Sequence, residues 1–190
     1  MTPDTNQITP VFSREKWLET ALDCLGQTRK SKFNLESLIQ AMPVTKGSFY
    51  SHFKNREDFL IALVDFWDRH FTKSIIDALG TLPEDTEPGD VLWELQLAIH
   101  DLGLNQHELL IRSMTLELEV CENGVRKVDE ERYTAVSGIF ARLGFEGDEL
   151  DMRTRMFLVA ISQESNLFLD KHGPIDLKKI RLRHEFFIRP

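Results

Sequence analysis

Apolar residues recur every three or four positions along most of the chain, and no segment alternates apolar and polar residues as a half-buried β-strand does. This spacing places apolar side chains on one face of successive helices. Glycine, proline and acidic residues separate the periodic segments, most clearly at residues 81–90, which we interpret as a linker. The pattern predicts an all-α fold.

Residues 34–53 predict two short helices joined by a tight turn. The first helix carries an apolar face that begins at Leu35 and ends at Met42. Pro43 then ends this helix, because proline lacks a backbone donor and pushes the preceding residue out of the α region. The hydroxyl of Thr45 can accept a hydrogen bond from the first turn of the second helix, so we expect that helix to begin there.

The second helix has one apolar face and one polar face. Phe49 and Phe53 are four residues apart, so we expect both to point inward. The polar side chains expected to point outward are Lys46, Ser48, Ser51 and His52. A helix, a short turn and a second helix with an exposed polar face is the layout of a helix-turn-helix, which places its second helix in the major groove of DNA.

At these residues the sequence resembles the signature of the TetR-like (tetracycline-repressor-type) transcription regulators. The resemblance rests on Thr-Lys-Gly-Ser-Phe-Tyr-Ser-His-Phe at residues 45–53, followed by Lys-Asn-Arg-Glu-Asp-Phe-Leu at residues 54–60. It covers residues 13–75. Two positions depart from the pattern, since Pro43 stands where the family usually has glycine and Ile39 where it usually has alanine.

The residues of the second helix can be given roles on DNA. Lys46 offers a long cation to a phosphate or a base edge, Gly47 lets the helix approach the DNA, and Ser48 can reach a base. Tyr50 and His52 match positions that contact the DNA backbone in the family. The resemblance also implies a phosphate contact at Asn34, where the preceding helix begins, and the charge of Lys54 just before the next helix start would attract phosphate as well. The predicted DNA-binding set is Asn34, Thr45, Lys46, Gly47, Ser48, Tyr50, Ser51, His52 and Lys54.

The distribution of charge supports this interpretation although the net charge of −8 at first argues against a DNA-binding protein. Residues 29–56 contain six basic residues and one acid, so this window carries +5 and the remainder carries −13. Positive charge is therefore concentrated where the outward helix is predicted. The hydrophobic fraction of 42% and the charged fraction of 28% are ordinary values for a globular chain.

The cysteines and the N-terminus exclude several other classes. Cys24 and Cys121 are far apart and have no paired spacing, so we expect neither a disulfide framework nor a zinc site, in keeping with a reducing cytoplasm. Residues 1–10 lack a signal-peptide pattern, and no apolar stretch approaches the roughly 20 residues of a membrane span. We expect a cytoplasmic protein that uses no cofactor and does not contact a membrane.

The predicted domains are a flexible arm at residues 1–12, a three-helix helix-turn-helix domain at 13–54, and a C-terminal helical domain for effector binding and dimerisation at 55–190. A helix capped by Asn55 and continuing to Gly80 is long enough to belong to both domains. We expect the charged residues 126–132 to be solvated. The later helices are predicted at residues 91–104, 106–120, 122–143, 148–171 and from 175 onwards.

Residues 156–161 are six apolar residues in succession, so their helix should be buried on more than one face. A second copy of the chain is the simplest cover for the extra face. The resemblance implies that the last two helices pack against their two-fold mates, and that an effector pocket lies among the middle helices. The pocket candidates, which suit a hydrophobic or aromatic compound, are Trp67, His70, Trp93, His100, Met114, Phe140 and Phe157.

These observations predict a sequence-specific DNA-binding transcriptional regulator, a ligand-responsive repressor that binds a near-palindromic operator as a homodimer. The alternative is a related DNA-binding factor that no small molecule gates, with an architectural or cell-cycle role through a protein partner. An enzyme is not expected, because the histidines are scattered and no phosphate-binding or hydrolase motif occurs. Asp65, Asp68 and His70 could in principle hold a metal, but solvated charges are the expected interpretation.

Overall fold

Every regular element in the described part of the chain is a helix, as predicted. The computed structural model describes residues 12–28, 34–101, 103, 107–115, 118–167 and 175–189. The helices, numbered along the chain, are α1 (Arg14–Thr28), α2 (Leu35–Ala41), α3 (Lys46–His52), α4 (Arg56–Asp68), α5 (Ser74–Gly80), α6 (Pro88–Asp101), α7 (Glu108–Thr115), α8 (Glu119–Arg142), α9 (Gly147–Leu167) and α10 (Leu177–Ile188).

Side-chain caps fix the starts of the short N-terminal helices. Asn34, Thr45 and Asn55 each accept a hydrogen bond from the backbone N–H three residues ahead, at 2.9, 3.1 and 2.8 Å. Such a cap satisfies a donor that the helix itself leaves unpaired. Met42, which precedes Pro43, has extended backbone angles of φ −95° and ψ 150°, so α2 ends where the proline requires it to.

Several helix boundaries in the second half differ from the predicted ones. α6 begins at Pro88 rather than at residue 91, because the fixed φ of proline suits the first turn of a helix. The predicted helix at 106–120 is shorter, since α7 ends at Thr115 and Leu118 is extended with φ −144° and ψ 118°. The arm at residues 1–11 and the predicted helical residues 168–171 lie outside the described residues.

A first hydrophobic core joins the N-terminal helices to the middle of the chain. α4 lies at its centre and contacts α1 on one side and α8 on the other. Gly124 of α8 approaches α4 so closely that a β-carbon there would lie 2.8 Å from Cγ1 of Val64. The buried residues of this core include Trp17, Leu18, Leu22, Leu38, Phe49, Phe53, Phe59, Leu60, Leu63, Trp67, Ile111, Cys121, Val125 and Val128.

A second hydrophobic core joins α5, α6, α8, α9 and α10. α8 belongs to both cores, because its first half carries Val125 and its second half carries Phe140. The helical run from Arg56 to Gly80 also belongs to both cores, because it carries Trp67 in the first and Ile75 in the second. The buried residues of the second core are Ile75, Val91, Leu92, Leu95, Val136, Ile139, Phe140, Phe145, Phe157, Ile161 and Phe187.

The predicted continuous helix from 55 to 80 contains one irregular turn. Residues Arg69–Lys73 form a π-helical turn between α4 and α5, and the backbone N–H of Ser74 donates to the carbonyl of Arg69 five residues before it. Lys73 Nζ also donates to Asp68 Oδ2 at 2.6 Å, again across five residues. A π turn accommodates one more residue than an α turn and often occurs at functional sites.

Candidate nucleic-acid interface and apolar cavity

An aromatic cluster holds α3 against α1 and α4. The indole of Trp17 meets the rings of Phe49, Phe53 and Phe59 edge to face, with centroids 5.5 to 5.8 Å apart. All four side chains are buried, so the predicted inward orientation of Phe49 and Phe53 is confirmed. Edge-to-face pairs of this kind add stability beyond their buried area, and they fix the rotation of α3 about its axis.

Two of the four side chains expected to point outward from α3 are instead half-buried and already bonded. Trp17 Nε1 donates to Ser48 Oγ at 3.2 Å, and His52 Nε2 donates to the carbonyl oxygen of Phe12 at 2.7 Å. The expectation that Ser48 and His52 point freely outward is therefore wrong. The reason is that α1 and the residues before it pack along this side of α3, which the pattern of α3 alone does not reveal.

The other predicted residues of this region are exposed. The side chain of Lys46 is 66% exposed, and Tyr50 is 56% exposed on the same short helix. Lys46 Nζ lies 3.7 Å from Glu36 Oε1, but both groups are solvated, so this ion pair contributes little to stability. The further exposed members of the predicted set are Asn34, Thr45, Gly47, Ser51 and Lys54.

The start of α4 is already occupied by its own side chains. The backbone N–H of Lys54 donates to Asp58 Oδ2 at 2.9 Å, and that of Asp58 donates to Asn55 Oδ1. Arg14 lies 3.9 Å from the other oxygen of Asp58. The side chain of Lys54, in contrast, is exposed at this helix start.

Neither cysteine has the character of a reactive thiol. Burial raises the pKa of Cys24, and Asp23 raises it further. Burial is also the main reason that the pKa of Cys121 is raised, with a smaller contribution from Glu57. Both thiols are therefore protonated at neutral pH, and both are free cysteines.

An apolar cavity lies beside the π-helical turn, between α5, α6, α8 and α9. Its enclosed volume is about 60 Å³, room for a small group, and it opens toward solvent. Its wall is mainly hydrocarbon, and a few polar side chains lie along it. The lining residues are Phe71, Thr72, Ile75, Ile76, Leu79, Leu95, Ile99, Glu108, Arg132, Ala135, Val136, Leu158, Ile161 and Ser162.

Arg132 connects this cavity to the helix that supports the N-terminal bundle. Its Nη1 donates to Glu108 Oε2 at 2.9 Å and its Nε donates to Thr72 Oγ1 at 3.0 Å. The guanidinium also lies over the ring of Trp67, 4.7 Å from the centroid. Thr72 belongs to the π-helical turn and Trp67 to α4, so one side chain joins α8, α7 and the shared helical run.

A network of ion pairs surrounds Glu108, whose side chain is only 2% exposed. Arg112 donates to Glu108 Oε1 and pairs with both carboxylate oxygens of Asp129. These hydrogen bonds, that to Asp129 first, raise the pKa of Arg112. The expectation that residues 126–132 are all solvated is therefore wrong for Arg132, whose side chain is 17% exposed, and for Glu131, at 29%, whereas Asp129 remains 47% exposed. Arg132 lies four residues from both Val128 and Val136 on an apolar stripe, and this position is the sequence signal that could have revealed its burial.

The predicted pocket candidates lie elsewhere than the lining of this cavity. Trp67 is in the first core and Phe140 and Phe157 are in the second. Trp93 is half-buried with its ring 5.4 Å from that of His184. Their role toward an effector stays a prediction.

The remaining three candidates are a mixed group. His70 is exposed, and its ring lies 4.1 Å from that of Phe66. His100 is half-buried near the end of α6. Met114 is in α7, but its side chain lies outside what the structure describes.

The structure also bears on the metal site and the membrane span that were considered from the sequence. Asp68 is buried and bonded to Lys73, while His70 is exposed and lies 3.3 Å from Glu15. Among the described residues no group of three potential metal ligands occurs. None of the helices in that part of the chain combines the length and the hydropathy that crossing a membrane requires.

Comparison with known proteins gives a partial match to a regulator. A segment of 67 residues is 29% identical to the transcriptional regulator AcuR of Cereibacter sphaeroides. The match covers 35% of this chain and 31% of AcuR, so the chain spans about a third of the length of that relative. No family model matches the chain.

Proposed function

We propose that this protein is a DNA-binding transcriptional regulator of the TetR-like type, a homodimeric repressor of a near-palindromic operator that a small molecule releases. The observation that carries the proposal is the construction of α3. Phe49 and the following Phe53 are buried against α1 and α4, while Lys46 and Tyr50 are exposed on the same helix. A rigidly held short helix with a cation and a phenol at its surface suits contact with phosphates and base edges.

Two further observations support a regulatory role on DNA. Net positive charge is concentrated at residues 29–56, which include this helix and carry +5, whereas the remainder of the chain carries −13. This arrangement directs the protein to a polyanion through one face. The partial similarity to AcuR, a protein named as a transcriptional regulator, points the same way.

The exposed apolar faces of α9 and α10 support a dimer. Within residues 156–161, Phe157 and Ile161 are buried in the second core, whereas Met156 and Val159 are exposed. On α10, Leu182 and Phe186 are also exposed and lie four residues apart. Two copies of this surface would cover each other about a two-fold axis, because the same patch contributes from both chains. A dimer also presents two copies of α3 to successive major grooves.

The cavity provides a means of control. It lies against the π-helical turn of the same helical run whose first half packs on α1. A ligand that binds better to the arrangement with poorly spaced α3 helices must weaken DNA binding by the same coupling free energy, on the order of 1–3 kcal/mol. This is why we favour a gated repressor over an ungated DNA-binding factor.

The test is selection of bound sequences from random double-stranded DNA with the purified chain. We expect enrichment of a near-palindromic site whose half-sites are about one helical turn apart, 10–10.5 base pairs, or a multiple of that. Enrichment of no sequence would contradict sequence-specific binding. A single half-site would contradict the dimer, and a thermal-shift screen without any stabilising small molecule would favour the ungated alternative.

A further inference from the structure

The lining of the cavity has two chemically different parts. Most of it is aliphatic or aromatic, including Ile75, Leu95 and Ile99. The polar part consists of Thr72, Glu108, Arg132 and Ser162. An occupant that matches this lining has a compact hydrocarbon body and one polar group.

The charged pair in the polar part offers a hydrogen-bond donor rather than an acceptor to an incoming ligand. Both oxygens of Glu108 already accept hydrogen bonds, Oε1 from Arg112 and Oε2 from Arg132. Arg132 uses Nε on Thr72 and Nη1 on Glu108, and within the described residues its Nη2 has no hydrogen-bond partner. The spare donors therefore belong to a guanidinium, the group that pairs with a carboxylate through two N–H bonds.

We propose that the cavity binds a small carboxylic acid with a hydrocarbon body, its carboxylate on Arg132; as an account of regulation this rests on the proposed repressor function. The ligand carboxylate competes with Glu108 and Thr72 for the guanidinium. Thr72 lies in the π-helical turn and Trp67, under the same guanidinium, lies on α4. A shift of Arg132 therefore changes the contacts of the helical run that supports the DNA-binding bundle.

The binding experiment compares acids with uncharged analogues of the same skeleton. The probes are butanoate, hexanoate, octanoate and benzoate, each beside its primary amide and its alcohol, measured by calorimetry and thermal shift on the full chain. We expect at least one acid to bind about tenfold more tightly than its amide, as a charge-assisted hydrogen bond in a buried site gives. Binding of no acid, or equal binding of acid and amide, would overturn the proposal.

Substitutions of the two residues in the buried ion pair should change the affinity for the acid in opposite directions. Arg132→Gln removes the charge that holds the acid and should weaken its binding about tenfold. Glu108→Gln removes the competing carboxylate and should strengthen binding. If the ligand is instead a cation, the two effects exchange sign, and the proposal fails. Arg126→Gln, on the exposed side of α8, is the matched control and should bind the acid as the wild type does.

A variant that leaves the ion pairs intact tests the same cavity even if the two charge variants fail to fold. Ile99→Phe places a larger side chain in the cavity wall and should abolish acid binding while the melting temperature stays near that of the wild type. Retained acid binding in this variant would place the ligand elsewhere and overturn the proposal.

A separate measurement of DNA affinity distinguishes the two proposals. With the DNA found by selection, the acid should lower the affinity of the wild type but not that of Arg132→Gln. Acid binding without an effect on DNA would overturn the regulatory link through Arg132 while supporting the ligand class. Failure to bind any DNA would overturn the proposed function, and the acid-binding data would still decide the chemistry of the cavity.

Discussion

The indole N–H of Trp17 donates a hydrogen bond to the hydroxyl oxygen of Ser48 at 3.2 Å, across 31 residues of sequence. Trp17 is fully buried in α1, and Ser48 lies on the short helix α3. This bond, together with the aromatic contacts of Trp17, fixes how far α3 is rotated and hence which of its side chains face solvent. The orientation of the proposed DNA-binding face thus depends on a residue of α1, 31 positions away in the sequence.

The contribution of the hydrogen bond between Trp17 and Ser48 can be tested by measuring the stability of variants. Ser48→Ala leaves a buried indole N–H without its acceptor, so the free energy of unfolding should fall by about 1 kcal/mol. Ser51→Ala is the control, because that hydroxyl is exposed and bonds only to the backbone of its own helix. Its effect should stay within about 0.5 kcal/mol. Chemical denaturation measures both variants, and equal stabilities would contradict a structural role for Ser48.

Lys46 should contribute to DNA affinity without contributing to stability. Lys46→Ala removes one cation from a solvated position, so the slope of log K against log salt concentration should become less steep by about 1 while the melting temperature is unchanged. Tyr50→Phe should also weaken binding, through loss of the phenol hydroxyl. Lys127→Ala, on the exposed side of α8, is the control. A salt slope in Lys46→Ala identical to that of the wild type would show that this face does not meet phosphates.

A substitution at Gly47 can distinguish an effect on folding from an effect on DNA binding. A β-carbon at this position would have only an ordinary contact, 3.7 Å from Thr45 Oγ1, so Gly47→Ala should fold normally. Alanine should even favour the helix by up to about 1 kcal/mol. If the backbone of α3 approaches DNA closely, the same variant should lose DNA affinity, as fluorescence anisotropy would measure. Unchanged affinity would rule out a close approach at this residue.

His184 should make stability depend on pH. Gln96 Nε2 donates to His184 Nδ1 at 3.1 Å, and the amide is oriented by Arg183, which donates to Gln96 Oε1. Protonation of Nδ1 would remove this acceptor. Burial, and to a lesser extent Arg181, lowers the pKa of His184 below its ordinary value of 6.5, so the unfolded chain takes up the proton first.

The stability is therefore complete above about pH 6.5 and falls as the pH drops toward the lower pKa of the folded state. Denaturation of the wild type at a series of pH values should show this loss. His184→Asn keeps an acceptor near the position of Nδ1 and does not titrate, so this variant should lose less stability as the pH falls. His107, whose pKa is also lowered by burial, should account for part of what remains. Identical pH profiles for wild type and His184→Asn would contradict the assignment.

The exposed faces of α9 and α10 should hold two copies of the chain together. Val159 is 60% exposed and Phe186 is 66% exposed, so Val159→Glu and Phe186→Glu should leave the fold intact. In a dimer each change would bury an unpaired carboxylate, which is costly. We expect both variants to be monomers by light scattering and to bind the operator more weakly. Leu109→Glu, an equally exposed leucine on α7, should remain a dimer.

Local features of this protein could be predicted from its sequence, whereas features that join distant segments could not. Asn34, Thr45 and Asn55 cap helices within three residues of themselves, and the inward pair Phe49 and Phe53 follows from the helical repeat. The contacts of Arg132 with Thr72 and Glu108 cross 60 and 24 residues, and no local pattern specifies them. The π-helical turn at Arg69–Lys73 also departs from the local pattern, which predicts one continuous helix there.

The extra residue in the turn at Arg69–Lys73 sets the phase between the two halves of one helical rod. Each residue of an α-helix advances the direction of the side chains by about 100°. A rod without that residue would still be helical, but Ile75 and Leu79 would then point about a quarter of a revolution or more away from the second core. The end of this rod that packs on the N-terminal helices and the end that lines the cavity are thus set in register by a single extra residue. Removing it would keep the helix and yet turn the second half away from its own core.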